Sequence, residues 1–168
     1  MKRKRVMKKI LYEILDWSKV LLTALVITFV VSRTLVANAQ VPTGSMETTI
    51  MSGSRVLINR LSYVVGEPKR GDIIAFYFPD DKSEKYLKRI IGLPGDKVEG
   101  IDGGIYVNDV LLEESYIREK INEDFGPYYV PELSYFVMGD NRNNSDDSRF
   151  WKDKFVEKDE IIGKAEIE

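Results

Sequence analysis

The stretch EKYLKRIIGLPGD, Glu84–Asp96, decides the fold class. Its first part alternates, with Tyr86, Lys88 and Ile90 on one side and Leu87, Arg89 and Ile91 on the other. That is the two-residue period of a β-strand. Gly92-Leu93-Pro94-Gly95-Asp96 then forms a turn cluster, so the strand is short and reverses. Working outward, the same grammar recurs at Arg55–Asn59, Asp72–Phe78, Lys97–Glu99, Ile105–Val107, Val110–Leu112, Tyr135–Met138 and Ile161–Ile167. Asn108-Asp109 is a candidate tight hairpin turn between two of them. With Lys85–Ile91 these make eight short strands, which predicts a mainly β, compact antiparallel sandwich or open barrel. The polar segment Glu113–Pro131 reads as an excursion from the sheet. Internal repeats and low-complexity tracts are absent from the sequence.

The amino-terminal part has a different character. Residues 1–19 hold seven lysines and arginines against two acids, whereas the whole chain of 168 residues is at −2. The body is therefore acidic, a poor match for the phosphate contacts of nucleic-acid binding. Val20–Val31, VLLTALVITFVV, holds nothing more polar than threonine. Extended from Trp17 to Ala37 the segment has the length of a membrane span, with Lys19 and Arg33 able to snorkel. A basic start, a short apolar run and Ala37-Asn38-Ala39 also fit a cleavable signal peptide. In both readings the positive-inside rule leaves residues 1–16 in the cytoplasm and puts the body outside.

The chain has no histidine and no cysteine, which excludes Ser-His-Asp and Cys-His catalysis and thiolate metal sites. If a serine is to act as a nucleophile, the base left to it is a lysine whose pKa has been lowered by burial. Lys88, between Tyr86 and Ile90, is the candidate, although spacing alone favours a solvated strand lysine. Ser45 in VPTGSMETTI, Val41–Ile50, is the candidate nucleophile, against the alternative of an ordinary turn serine. Gly44 permits a bend that leaves the Ser45 N–H free as an oxyanion donor. The loop GDNRNNSDDSR, Gly139–Arg149, suggests calcium by its oxygen-rich side chains. It fails that pattern, because Arg142 stands where a ligand should be and the turning glycine is missing.

Together these stretches resemble the bacterial type I signal peptidases. The ordered set is a basic amino terminus and span, PTGSMETT (42–49), RGDII (70–74), KRIIGLPGD (88–96) and GDNRNNSDDSR (139–149). The resemblance covers nearly the whole chain, and the compact length is similar to the short Gram-positive forms. One departure is Thr48, where the family usually has proline. The resemblance implies antiparallel sheets around a small catalytic core, with one amino-terminal transmembrane helix. It makes Ser45 the nucleophile and Lys88 the general base, with the Ser45 N–H and the Thr43 hydroxyl as the oxyanion hole. Ser145 would orient the Lys88 amine. Asp147 with Arg149, and Asp140 with Arg89, would be supporting ion pairs. Met46, Tyr86 and Leu87 would line pockets for the small side chains of an A-x-A site.

The implied substrates are signal-peptide-bearing preproteins, and membrane lipid is the implied surroundings. No nucleic acid, metal or organic cofactor is called for. The expected organisation is a cytoplasmic basic segment (1–16), an uncleaved anchor (17–37) and an extracytoplasmic catalytic domain (38–168). Slow cleavage before Gln40 between neighbouring molecules is an expectation, with burial of Val36–Gln40 against the catalytic domain as its alternative. A self-cleaving regulatory protease resembling the SOS-response repressors is the enzymatic rival, opposed by the apolar amino terminus. A catalytically silent membrane-bound binding protein is the rival from another class.

Overall fold

The computed structural model describes residues 2–166, so Ile167, the last residue of the expected final strand, lies outside it. Contact density divides the chain into Met1–Val36 and Ala37–Glu168. The first unit is a single helix, α1 (Lys2–Leu35). Its apolar side chains at Val20, Leu21, Leu22, Leu25, Val26 and Ile27 are all exposed. Among the described residues, no helix is long and apolar enough to cross a membrane. The side chains of residues 30–36, within the expected anchor, lie outside the described ones.

The second unit holds β1 (Val36–Gln40) from its second residue on, β2 (Arg55–Asn59), the short helix α2 (Ser62–Val65), β3 (Ile73–Phe78), β4 (Asp81–Gly92) and β5 (Lys97–Ile101). It continues through β6 (Gly104–Val107), β7 (Val110–Leu111), β8 (Phe125–Tyr129), β9 (Ser134–Met138), β10 (Val156–Glu157) and β11 (Ile161–Glu166). One sheet has seven strands in the order β1-β2-β11-β3-β4-β9-β10, and the other has four in the order β7-β6-β5-β8. The domain is thus mainly β, and every pairing whose register is resolved is antiparallel.

All eight expected strands are present, with ends moved by a few residues. Asn108 and Asp109 both take positive φ, 52° and 66°, as a two-residue I′ hairpin turn requires. The excursion expected at 113–131 needs correcting, because Phe125–Tyr129 is β8 and pairs with β5. Gly126-Pro127 breaks the apolar alternation there, and the strand takes the sheet edge, where proline is tolerated. β1 and β10 were also not foreseen, being short and lacking β-branched runs. In β1, Ala37 and Ala39 are half-buried against the core cluster that includes Val41, Met46 and Val56. Cleavage before Gln40 would therefore require β1 to leave the sheet first.

β4 is the strand on which the core is organised. On one face, Ile90 and Tyr86 pack with Ile74, Phe76, Val137 and Trp151. On the other, Leu87 joins Ile73, Ala75 and Met46, while Ile91 joins Phe136 and Met138. Register places Lys88 opposite Ile74 of β3 and Arg89 opposite Met138 of β9. The loop that begins at Gly139 therefore leaves β9 beside Lys88 and Arg89. This is how residues far apart in sequence are delivered to one place.

Candidate active site

Ser45 sits in a turn between β1 and β2 and is buried to 8% exposure. The turn is closed by Glu47 N–H donating to the Gly44 carbonyl (3.1 Å) and Ile50 N–H to the Met46 carbonyl (2.9 Å). Met46 beneath it is fully buried, which anchors the turn to the core. The Thr43 and Ser45 hydroxyl oxygens are 3.4 Å apart. Among the described residues, no acceptor takes the Ser45 N–H.

The Gly139–Arg149 loop closes over this turn. Asn141 donates its N–H to the Ser45 carbonyl (3.0 Å) and its side-chain amide to the Gly44 carbonyl (3.0 Å). A Cβ on Gly139 would lie 2.4 Å from the Ser45 carbonyl oxygen and 2.3 Å from Ser145 Oγ. Glycine is needed there because the two chain segments touch. Thr49 Oγ1 donates to Asp140 Oδ2.

Three ion pairs involve the loop among the described residues, and two of them are made by its own aspartates. Asp140 receives Arg89 at both oxygens, at 2.8 and 2.6 Å, and Arg89 also donates to the Gly71 carbonyl at 2.7 Å. Asp147 receives Arg149 at both oxygens, at 2.8 and 2.9 Å. It also accepts Gly139 N–H (3.0 Å) and Ser145 Oγ (2.8 Å). The Ser145 hydroxyl is thus directed to Asp147, and no hydrogen bond joins it to Lys88 among the described residues. Bidentate pairs of this kind satisfy the guanidinium fork, which is what makes their burial tolerable.

Lys88 is 4% exposed, and its amine is 5.8 Å from the centre of the Tyr86 ring. It makes no ion pair and no side-chain hydrogen bond among the described residues, to Ser45 included. Burial lowers its pKa to about 8, against the opposing pull of Asp147 and Asp146. A fraction of the amine is therefore neutral near physiological pH. Tyr86 is stacked on Phe78, with ring centres 4.6 Å apart. Leu87 projects from the opposite face of β4 and packs in the cluster that includes Met46.

Other buried residues were not singled out in the sequence. Glu114 accepts Arg142 at both carboxylate oxygens, each at 2.6 Å. Tyr116 donates to Glu114 (2.7 Å), and its ring faces the Arg89 guanidinium at 3.8 Å. The signal was available in part, since an arginine in a loop that buries itself needs an acid. No spacing rule, however, ties Arg142 to a glutamate 28 positions earlier.

This geometry can be set beside known proteins. The model of the family "Signal peptidase, peptidase S26" matches residues 14–168. Signal peptidase I S of Bacillus subtilis (strain 168) is 37% identical, with 99% of this chain and 94% of the relative covered. Signal peptidase I P of Bacillus subtilis subsp. natto is 38% identical over 92% of this chain and 88% of its own length. The crystal structure of a signal peptidase I from Enterococcus faecalis V583 superposes with a TM-score of 0.53 at 38% identity, over 60% of this chain and 97% of that one. The chain is a serine endopeptidase that belongs to the signal peptidase family, peptidase S26.

Proposed function

We propose that this signal peptidase I removes amino-terminal signal peptides from exported preproteins with a Ser45/Lys88 dyad. The observation that carries this reading is the burial of Lys88 without an ionic partner, which keeps part of it neutral. A neutral amine is a base, and an ammonium ion is not.

In the first step Lys88 takes the Ser45 hydroxyl proton as Oγ attacks the scissile carbonyl carbon. The negative charge that develops on the carbonyl oxygen is met by the Ser45 N–H and the Thr43 hydroxyl. Lys88, now an ammonium, returns the proton to the leaving amine, and the mature amino terminus departs. Water then attacks the acyl carbon and gives a proton to Lys88, which passes it to Ser45 Oγ as the ester bond breaks and the signal peptide leaves as its carboxylic acid. Asp147, holding Ser145 and Arg149, supports the wall beside the amine. Tyr86 and Leu87, both half-buried, would supply surface that limits the substrate to alanine-sized side chains of an A-x-A site, and the fully buried Met46 would back it from the core.

Anchoring by α1 is part of the same proposal. The basic residues at its start and the exposed apolar side chains from Val20 to Ile27 support a helix that holds the catalytic domain on the outer membrane face. Purified full-length protein in detergent should cut a preprotein carrying an A-x-A site. Ser45→Ala and Lys88→Ala should each abolish the cut, and the double variant should be no worse than either alone, because the two act as a unit. Substantial cleavage by Lys88→Ala would overturn the assignment of the base.

A further inference from the structure

We infer that Asn141 is a positioning residue that aims the oxyanion-binding amide of Ser45. The inference rests on the reading that this amide binds the oxyanion. The Gly44 carbonyl and the Ser45 N–H are opposite ends of one planar peptide unit. Whatever grips the carbonyl therefore sets the direction of the N–H. The Asn141 side chain donates to that carbonyl at 3.0 Å, alongside Glu47 N–H at 3.1 Å. Asn141 also donates its own N–H to the carbonyl of Ser45, at 3.0 Å. The two bonds hold the peptide units before and after the Ser45 Cα, so the nucleophile is fixed from both sides by one residue 96 positions away in the chain.

Three further observations fit this role. The Ser45 N–H has no acceptor among the described residues, so a correctly aimed donor is left available. Gly139 has no side chain where a Cβ would meet the Ser45 carbonyl, and this is what lets Asn141 reach the turn. A carbonyl that accepts hydrogen bonds also polarises its peptide unit and makes the N–H a better donor. Asn141 is thus tied to the oxyanion site and not to the base, since the charges acting on Lys88 are those of Asp147, Asp146, Arg149 and Asp140.

The test uses the full-length enzyme in detergent, with Asn141→Ala and the near-isosteric Asn141→Asp, which replaces the donor with acceptors. Both keep the backbone N–H. Each variant is assayed for kcat and KM on a preprotein and for the pH midpoint of kcat/KM. Each is also assayed for the affinity of a peptide aldehyde, whose adduct with Ser45 Oγ has a tetrahedral carbon and places its oxygen where the oxyanion would form. Substrate affinity is read separately by adding Ser45→Ala to each variant. The expected result is a kcat lower by roughly tenfold or more, with aldehyde affinity falling in parallel. KM and substrate affinity should stay where they are in both variants, and so should the pH midpoint in the uncharged Asn141→Ala; in Asn141→Asp the added carboxylate should move the midpoint upward only. Wild-type kcat and aldehyde affinity in both variants would overturn the proposal, leaving the dyad untouched if Ser45→Ala is inactive. A fall in kcat in Asn141→Ala accompanied by raised KM and a displaced pH midpoint would also overturn it, because that is the signature of a loop that has merely come loose. Cleavage by Ser45→Ala would instead remove the reading on which the proposal stands.

Discussion

Lys88 and Arg89 are neighbours on β4 with nearly the same burial and opposite surroundings. On the Arg89 side, Asp140 takes two of the guanidinium donors, the Gly71 carbonyl takes a third, and the Tyr116 ring covers the face. On the Lys88 side the neighbours are Ile74, Ile90 and Tyr86, with no acid in contact. A cation that loses water and regains its hydrogen bonds from the protein stays a cation. One that loses water and regains nothing gives up its proton more readily. The strand's alternation, which sends adjacent side chains to opposite faces, lets one short segment hold both a structural cation and the proposed base.

The largest effect should come from breaking the Arg89 side. Asp140→Ala leaves a buried guanidinium without its carboxylate, a change that costs about 3–5 kcal/mol. Thermal melting of the full-length protein in detergent should show a marked loss of stability, and an unchanged melting point would mean that the pair is solvated.

On the Lys88 side the sign reverses. Its pKa is 10.5 in an unfolded chain and about 8 in the folded one. Between those values the unfolded chain binds a proton that the folded chain lacks, so stability rises with pH across that window. Below pH 8 the burial penalty is present in full. Lys88→Met should therefore be more stable than wild type near neutral pH by on the order of 3 kcal/mol. That advantage should shrink as pH rises and vanish above about 10.5. An advantage independent of pH would show that packing, not charge, is responsible.

A smaller effect sharpens the contrast. Tyr116→Leu keeps an apolar surface over Arg89 but removes the aromatic face, and comparison with Tyr116→Phe separates this from the lost hydrogen bond to Glu114. The expected loss is about 1–2 kcal/mol, again by melting and well below that of Asp140→Ala. A loss as large as that of Asp140→Ala would place the ring, not the carboxylate, as the main partner.

Much of the fold was readable because it is written in local terms. The alternation of Glu84–Ile91, the turn cluster after it and Asn108-Asp109 each specify a conformation within a few residues. β8 was not readable, since Gly126-Pro127 resembles a loop and its strand character comes from pairing with β5. The same holds for the site. Ser45 and Lys88 stand in motifs that can be recognised one at a time. The contacts of Asn141 to the Ser45 turn and of Glu114 to Arg142 exist only after two sheets and a loop have assembled. The direction of the Ser145 hydroxyl, toward Asp147, is likewise a matter of a side-chain rotation that no spacing records.

The central claim is that Lys88 is a buried amine poised to act as a base. The most direct measurement is the titration of its side-chain signal by NMR in the full-length protein with isotope-labelled lysine, the signal being assigned by its absence from Lys88→Met. The account predicts that this lysine loses its proton near pH 8, at the midpoint where kcat/KM rises. A Lys88 signal that titrates near the ordinary lysine value of about 10.4 would contradict it.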